Sequence, residues 1–236
     1  DSTVNLTLTS NIDLKGTGTV IGAFVGRTNL SNAGTITVES ATGGNSVGIY
    51  GDESTSTPIT GNINISGGNG TGIYLKNSTM SNSGTITVNN VDSGIGIYAQ
   101  ATAGHTSLGT NTGTISLGDN VTGMYGIGVS AANTGTITNI GTIQSLSTSA
   151  DNAIGMYIGN NGIGNNSGNI YLTAVGTNAD QVGIYNSGIF NMTGGNIEVS
   201  SKNGAGLYAT GTANLSGGTI KTGNGAIGLY ADGTTI

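Results

Sequence analysis

The chain has 236 residues, with 45 glycines, one proline, no cysteine and only 7% charged residues. Its net charge of −6 comes from eleven carboxylates against four lysines and Arg27, which argues against a nucleic-acid partner, since that needs clustered basic residues, and against contact with an anionic membrane surface. Without cysteine there is no disulfide framework and no thiolate metal site, and no apolar stretch approaches the roughly 20 residues of a membrane helix.

Read from the start, the first recognisable unit is Ile21, Ala23 and Val25 around Phe24. It is followed by Asn32-Ala33-Gly34-Thr35-Ile36-Thr37-Val38 and then by Gly48-Ile49-Tyr50. From there the chain repeats itself. Gly-x-Tyr recurs at Tyr74, Tyr98, Tyr157, Tyr185, Tyr208 and Tyr230, with successive copies 22 to 28 residues apart where the count is unbroken. The block Asn-x-Gly-Thr-Ile-x-Val returns at Asn82 to Val88 and, as Asn111 to Leu117, once more. A fixed period of this size denotes stacked units that share one thin core. Apolar residues are 35% and placed periodically, so the low charge denotes a neutral polar coat on a folded β-structure rather than disorder.

Period-two alternation turns Ile36 and Val38, Ile86 and Val88, Ile115 and Leu117, Ile170 and Leu172, and Ile197 and Val199 inward. Thr, Ser, Glu39 and Glu198 then face out. The same parity in the Gly-Ile-Tyr strand makes Val47, Ile49 and Gly51 an inward set, likewise Ile154, Met156 and Ile158, Ala205, Leu207 and Ala209, and Ile227, Leu229 and Ala231. Tyrosine then faces out, two residues after an outward glycine. Leu30, Met80, Leu108, Phe190, Met192 and Leu215 are the inward candidates of a third, more variable side. Turns fall at Asn32-Ala33-Gly34, Asn82-Ser83-Gly84, Asn133-Thr134-Gly135 and Asn166-Ser167-Gly168, where Asn and Gly accept positive φ and stacked Asn side chains form an amide ladder. In the segment 118–147 Gly123-Met124-Tyr125 is followed at once by Gly126-Ile127-Gly128-Val129, and Gly135-Thr136-Ile137-Thr138 by Gly141-Thr142-Ile143, so copies compete for the repeat position and a bulged or enlarged rung is expected there.

Three short strands and three turns use about 24 residues, one coil of a right-handed parallel β-helix. Residues 1–236 then form a single segment of eight to nine coils, a rod near 40 Å long at about 4.8 Å per coil. Glycine and β-branched residues leave little place for helices. No polar cap is recognisable at either end, and open ends invite edge pairing, so the segment reads as a slice of a longer solenoid.

Repeated Ser/Asn-x-Gly-Thr-Ile-x-Val followed by Gly-Ile-Tyr-Ala resembles the passenger region of type V secretion autotransporters, particularly the large fusobacterial outer-membrane adhesins. The resemblance covers essentially the whole chain, and its motifs are structural. It implies an N-terminal signal, a right-handed β-helix passenger, and a bacterial cell-surface location through a C-terminal outer-membrane barrel, or secretion. The partners it implies are glycan or protein receptors on host cells or other bacteria. It carries no ligand-binding residue over to this sequence.

Catalytic patterns are missing. Polysaccharide-cleaving β-helices need clustered acids, whereas Asp13, Asp92, Asp119, Asp151, Asp180 and Asp232 are scattered singly and only Asp52 and Glu53 are neighbours. A serine-protease passenger needs a Gly-Asp-Ser-Gly segment and a separate His and Asp, and His105 stands alone in a loop-like Ala-Gly-His-Thr. Calcium repeats need an Asp after Gly-Gly-x-Gly, and Gly67-Gly68-Asn69-Gly70 lacks it. The sequence therefore predicts no enzyme, no cofactor and no metal. The candidate ligand site is the tyrosine column, Tyr50, Tyr74, Tyr98, Tyr157, Tyr185, Tyr208 and Tyr230, read either as an aromatic platform or as rings that only shield backbone and pack on each other. Segments 52–58, 100–111 and 118–131 are second candidates, because insertions in solenoids carry binding. A surface adhesin, a structural stalk and a polysaccharide-acting enzyme remain as alternatives.

Overall fold

The computed structural model describes residues 4–146, 150–173 and 180–233. Among them there is no helix. Parallel strands stack into a β-solenoid of three faces. The tyrosine face is a nine-stranded sheet running from the strand Thr19–Gly26 to the strand Ile227–Ala231. The other two faces belong to one 16-stranded sheet, because Ile189–Val199 and Thr212–Thr222 each run unbroken from one face to the next.

The Thr-Ile face follows its alternation. Ile36, Ile63, Ile86, Ile115, Ile143, Ile170 and Ile197 stack in register and are fully buried. The third face buries Leu30, Met80, Phe190 and Met192 as expected. Leu108 departs from the expectation and faces out, half-buried. Its neighbours Ser107 and Gly109 take the inward places, because Gly109 pairs with Met80 and has Leu75 and Ile97 against the point where a Cβ would stand. Leu215 pairs with the buried Met192 but is 38% exposed, since it lies in the last described coil.

The tyrosine face corrects the parity expectation. Ser46 and Gly48 point inward, and so do Ile49 and Gly51, so two consecutive residues face the core. Val47 and Ile154 are half-buried on the outside, and Ile227 is 51% exposed. Register passes from Val47↔Thr71 directly to Ile49↔Ile73, so Gly48 and Gly72 drop out of the ladder together, the register is kept, and the inward–outward phase shifts by one in both strands. The glycine is a packing requirement. A Cβ on Gly48 would stand 2.6 Å from Gly72 O and 2.5 Å from Ile63 Cγ2. Gly72, Gly96, Gly123, Gly155 and Gly183 meet the same two neighbours one coil on.

The Asn-x-Gly corners also work differently from the expectation. Among the described residues the positive-φ non-glycine positions are Arg27, Glu53, Asn77, Asn90, Asn120, Asn152 and Asn161, and none of the four expected corners is among them. Asn32, Asn82 and Asn166 are buried instead, and each amide donates to the carbonyl of the glycine two residues on. Those glycines are needed because the equivalent glycine carbonyl of the preceding coil would collide with any Cβ at Gly61, Gly84, Gly113, Gly141 or Gly168. The expected amide ladder forms through Asn82, Asn111, Asn139 and Asn166. Asn133 does not join it, and Asn139 takes that level.

Around 118–147, Gly126-Ile127-Gly128-Val129 forms no rung strand of its own, since Gly126 and Ile127 only end the strand Val121–Ile127, and the other three copies each find a place. Gly123-Met124-Tyr125 lies in the tyrosine face within Val121–Ile127. Gly135–Asn139 lies in the third face and Thr142–Ser145 in the Thr-Ile face. The extra length is an excursion over 128–134 closed by a Ser130–Asn133 bridge.

Candidate functional site

Tyrosine stands two residues after the inward glycine, where the strand has returned to regular alternation and the side chain faces out. In-register pairing then sets each ring above the next. All seven expected tyrosines lie in this one column, and Phe24 begins it, stacked on Tyr50 at 5.2 Å. Tyr125, absent from the expected set, fills the gap between Tyr98 and Tyr157. The signal for it was present as Gly-Met-Tyr but was masked by the adjacent Gly126-Ile127-Gly128.

Ring centroids along the column are 4.6 to 5.2 Å apart. Most pairs are stacked, with interplanar angles of 9° for Tyr208–Tyr230 and 12° for Tyr157–Tyr185. The stack turns edge-to-face at Tyr74–Tyr98 (66°) and at Tyr125–Tyr157 (61°). Elsewhere each ring covers its neighbour's face. Phe24 is 62% exposed. Tyr74 donates its hydroxyl hydrogen to Gln100 Oε1. Burial, and then the neighbouring phenols Tyr74 and Tyr125, push the Tyr98 hydroxyl up to about 12. Tyr74, Tyr125 and Tyr157 are raised too, by burial first and then by one neighbouring phenol each (Tyr50, Tyr157 and Tyr185), with the Asp52 carboxylate adding to the shift at Tyr74.

Beside the second break runs a groove of about 470 Å³. One wall is aromatic, Tyr125 and Tyr157, and the opposite wall is polar, Asn69, Ser93 and Asn120. Thr71, Ile95, Thr122 and Ile154, the outward row just before the inward glycine, lie between them. No charged residue lines it. The polar wall is held along the rod axis: Ser93 Oγ donates to Asn69 Oδ1 at 2.9 Å, and Asn152 Nδ2 to Asn120 Oδ1 at 2.9 Å. Parity counting hid this groove, because it turned Ile154 and its equivalents inward. The arrangement suits an uncharged ligand with hydroxyl or amide groups on one side and apolar area on the other.

The segments that break the period contribute less loop than expected. Within 52–58, Thr55–Ser56 is a strand and Ser54 is buried, its backbone N–H donating to the Ser78 hydroxyl at 3.0 Å. Within 100–111, Ser107–Asn111 is a strand and His105 sits exposed in the turn before it. Asp52, Glu53, Arg27 and Lys76 surround a second cleft of about 270 Å³ beside Phe24. There the charges neutralise one another, Arg27 with Glu53 at 2.9 Å and Lys76 with Asp52 at 3.3 Å. Among the described residues no group of three His, Cys, Asp or Glu side chains is placed to hold a metal. No family model, no curated protein and no solved structure matches the chain, so the fold identifies a parallel β-solenoid and the site's role rests on its geometry.

Proposed function

We propose that this solenoid is the display rod of a bacterial cell-surface adhesin, an autotransporter-type passenger segment that holds a receptor in the groove beside its tyrosine column. The observation that carries this reading is the pairing of an aromatic wall at Tyr125 and Tyr157 with an uncharged amide and hydroxyl wall at Asn69, Ser93 and Asn120. Amides and hydroxyls both donate and accept, which matches a neutral glycan or a polar protein segment better than a charged polymer. The site offers no nucleophile–base pair and no carboxylate pair, so we read it as a binding surface rather than a catalytic one. The receptor would be a glycan or protein on a host cell or another bacterium, and the rod would project the groove from the outer membrane or act as a secreted fragment.

A second reading has its own observation. Stacked rings cover one another's faces over most of the column, which leaves little ring area for a sugar and favours a stalk stiffened by its aromatic ladder. Binding of the chain to a broad glycan array and to receptor-bearing cells separates the two readings. The variants beside it are Tyr125→Ala with Tyr157→Ala, and the surface change Asn69→Ala. With β-type circular dichroism unchanged, saturable binding lost in both variants supports the adhesin. A folded chain that binds neither array nor cells supports the stalk.

A further inference from the structure

We propose that the tyrosine column is an oxidative cross-linking site, in which one-electron oxidation joins tyrosines of successive coils into dityrosine and staples the coils along the rod axis. This does not depend on whether the groove holds a receptor. Coupling needs two phenoxyl rings to meet at the carbons beside their hydroxyls, and two tyrosines seldom lie side by side in a folded chain. Here parallel in-register pairing holds successive Cα atoms about 4.8 Å apart. Both rings of each pair leave the same face of the sheet, one above the other. All seven tyrosine–tyrosine steps have centroids within 4.6 to 5.1 Å. The run Tyr157, Tyr185, Tyr208, Tyr230 is also closest to parallel, at 12°, 11° and 9°. The rings are half-buried or exposed, never enclosed, so an oxidant reaches their edges.

The chemistry balances with an external one-electron oxidant, such as a peroxidase intermediate or a photogenerated metal complex. Each of two phenols gives one electron to that oxidant and its hydroxyl proton to water. The two radicals then form one carbon–carbon bond between the ring carbons next to oxygen. The hydrogens on those two carbons move to the oxygens and restore both phenols. The net loss is two electrons and two protons per link. A radical formed on any ring has another phenol in contact, so it passes along the column by electron and proton exchange until it meets a second one. Phe24 ends the path at one side because it has no hydroxyl. Tyr171 is an internal control: of the nine tyrosines it alone stands outside the column, flanked in register by Gln144 and Glu198.

The test is a brief flash of ruthenium tris-bipyridine with persulfate on dilute folded protein, followed by fluorescence, intact mass and peptide mapping. The expected product is a monomeric chain, lighter by two hydrogens per link, with the blue fluorescence of dityrosine. Its yield per chain should not change with protein concentration, and its links should pair neighbours among Tyr157, Tyr185, Tyr208 and Tyr230. A variant carrying Tyr74→Phe, Tyr125→Phe, Tyr185→Phe and Tyr230→Phe keeps a ring in every coil but leaves no two tyrosines adjacent. It should lose the intrachain product while its circular dichroism is unchanged. Three results would overturn the proposal: links that form only between chains and rise with concentration, Tyr171 in links as often as a column tyrosine, or an undiminished yield in the variant. Absence of dityrosine from the folded wild type, under a flash that couples free tyrosine, would overturn it too.

Discussion

Asn111 Nδ2 lies 3.0 Å from Asn139 Oδ1, and both side chains are completely buried. Asn111 Oδ1 in turn accepts from Asn82 Nδ2 at 2.9 Å, and Asn139 donates onward to Asn166 at 2.9 Å. Every amide in the ladder therefore points the same way along the rod. Its first oxygen, Asn82 Oδ1, has no partner, because Ile59 rather than asparagine stands beside Asn82 in the preceding coil. Removing a middle member leaves buried groups unsatisfied on a neighbour, which costs about 1–3 kcal/mol before any cavity term. Asn111→Ala should lower the urea midpoint accordingly. Asn214→Ala removes an exposed rung of similar chemistry, Asn214 to Asn191 at 2.8 Å, and should change stability by less than about 0.5 kcal/mol. Equal effects would show that the buried ladder adds nothing beyond surface hydrogen bonding.

The glycine column makes a second, steric prediction. A Cβ on Gly96 would stand 2.5 Å from Gly123 O and 2.6 Å from Ile115 Cγ2, one a backbone atom and the other a fully buried core atom. Neither can yield without moving a coil. Gly96→Ala should therefore cost at least the 1–3 kcal/mol typical of an overpacked core, measured by urea unfolding. Gly18 has nothing within 4 Å of its Cβ position, so Gly18→Ala should be close to neutral. A neutral Gly96→Ala would mean that the coils slide apart more easily than their register implies.

How much of this was legible in the sequence depended on whether a residue's role follows from its own spacing or from its neighbour's shape. The Ile36, Ile86, Ile115 column follows directly from alternation, and the tyrosines share a column because they share a repeat position. Gly48 defeated the parity count because a residue that leaves the ladder shifts the phase after it, and alternation rules assume that no residue does. Leu108 faces out for a related reason: the core at that level is already filled by Leu75 and Ile97, so glycine must take the inward place. The groove was least legible. It depends on the ring turn between Tyr125 and Tyr157 and on the coil between them, where equivalent residues are 32 apart. The sequence reveals the longer interval but not the orientation of the rings.

Ion pairs should matter little to this rod. Lys15–Glu39, Arg27–Glu53, Lys76–Asp52 and Lys221–Glu198 each link adjacent coils, and all eight side chains are at least 31% exposed. Pairs of this kind contribute about 0–1 kcal/mol and are screened by salt. Melting in low salt and in about 1 M salt, where the screening length falls to roughly 3 Å, should differ only slightly. A large loss of stability in high salt would show that the charge ladder, rather than the aliphatic and amide columns, holds the coils together.

Alkaline pH should act through the tyrosine column. The Tyr98 hydroxyl is raised from 10.0 to about 12 in the folded chain, by burial first and then by the phenols of Tyr74 and Tyr125. An acid whose folded value lies above its unfolded value is held neutral by the fold. Its contribution to stability is therefore complete below pH 10 and is lost as pH rises through 10 toward 12. Tyr74, Tyr125 and Tyr157 shift in the same direction, so their losses fall in the same alkaline direction, and the phenolates that form repel one another along the stack. The melting temperature should be flat below that window and should fall across it, accompanied by the absorbance of tyrosinate. Tyr98→Phe keeps the ring stacked but has no proton to lose, so its melting temperature should fall less over the same interval. If wild type and Tyr98→Phe lose stability in parallel, alkaline unfolding begins elsewhere in the rod and the stacked phenols do not govern it.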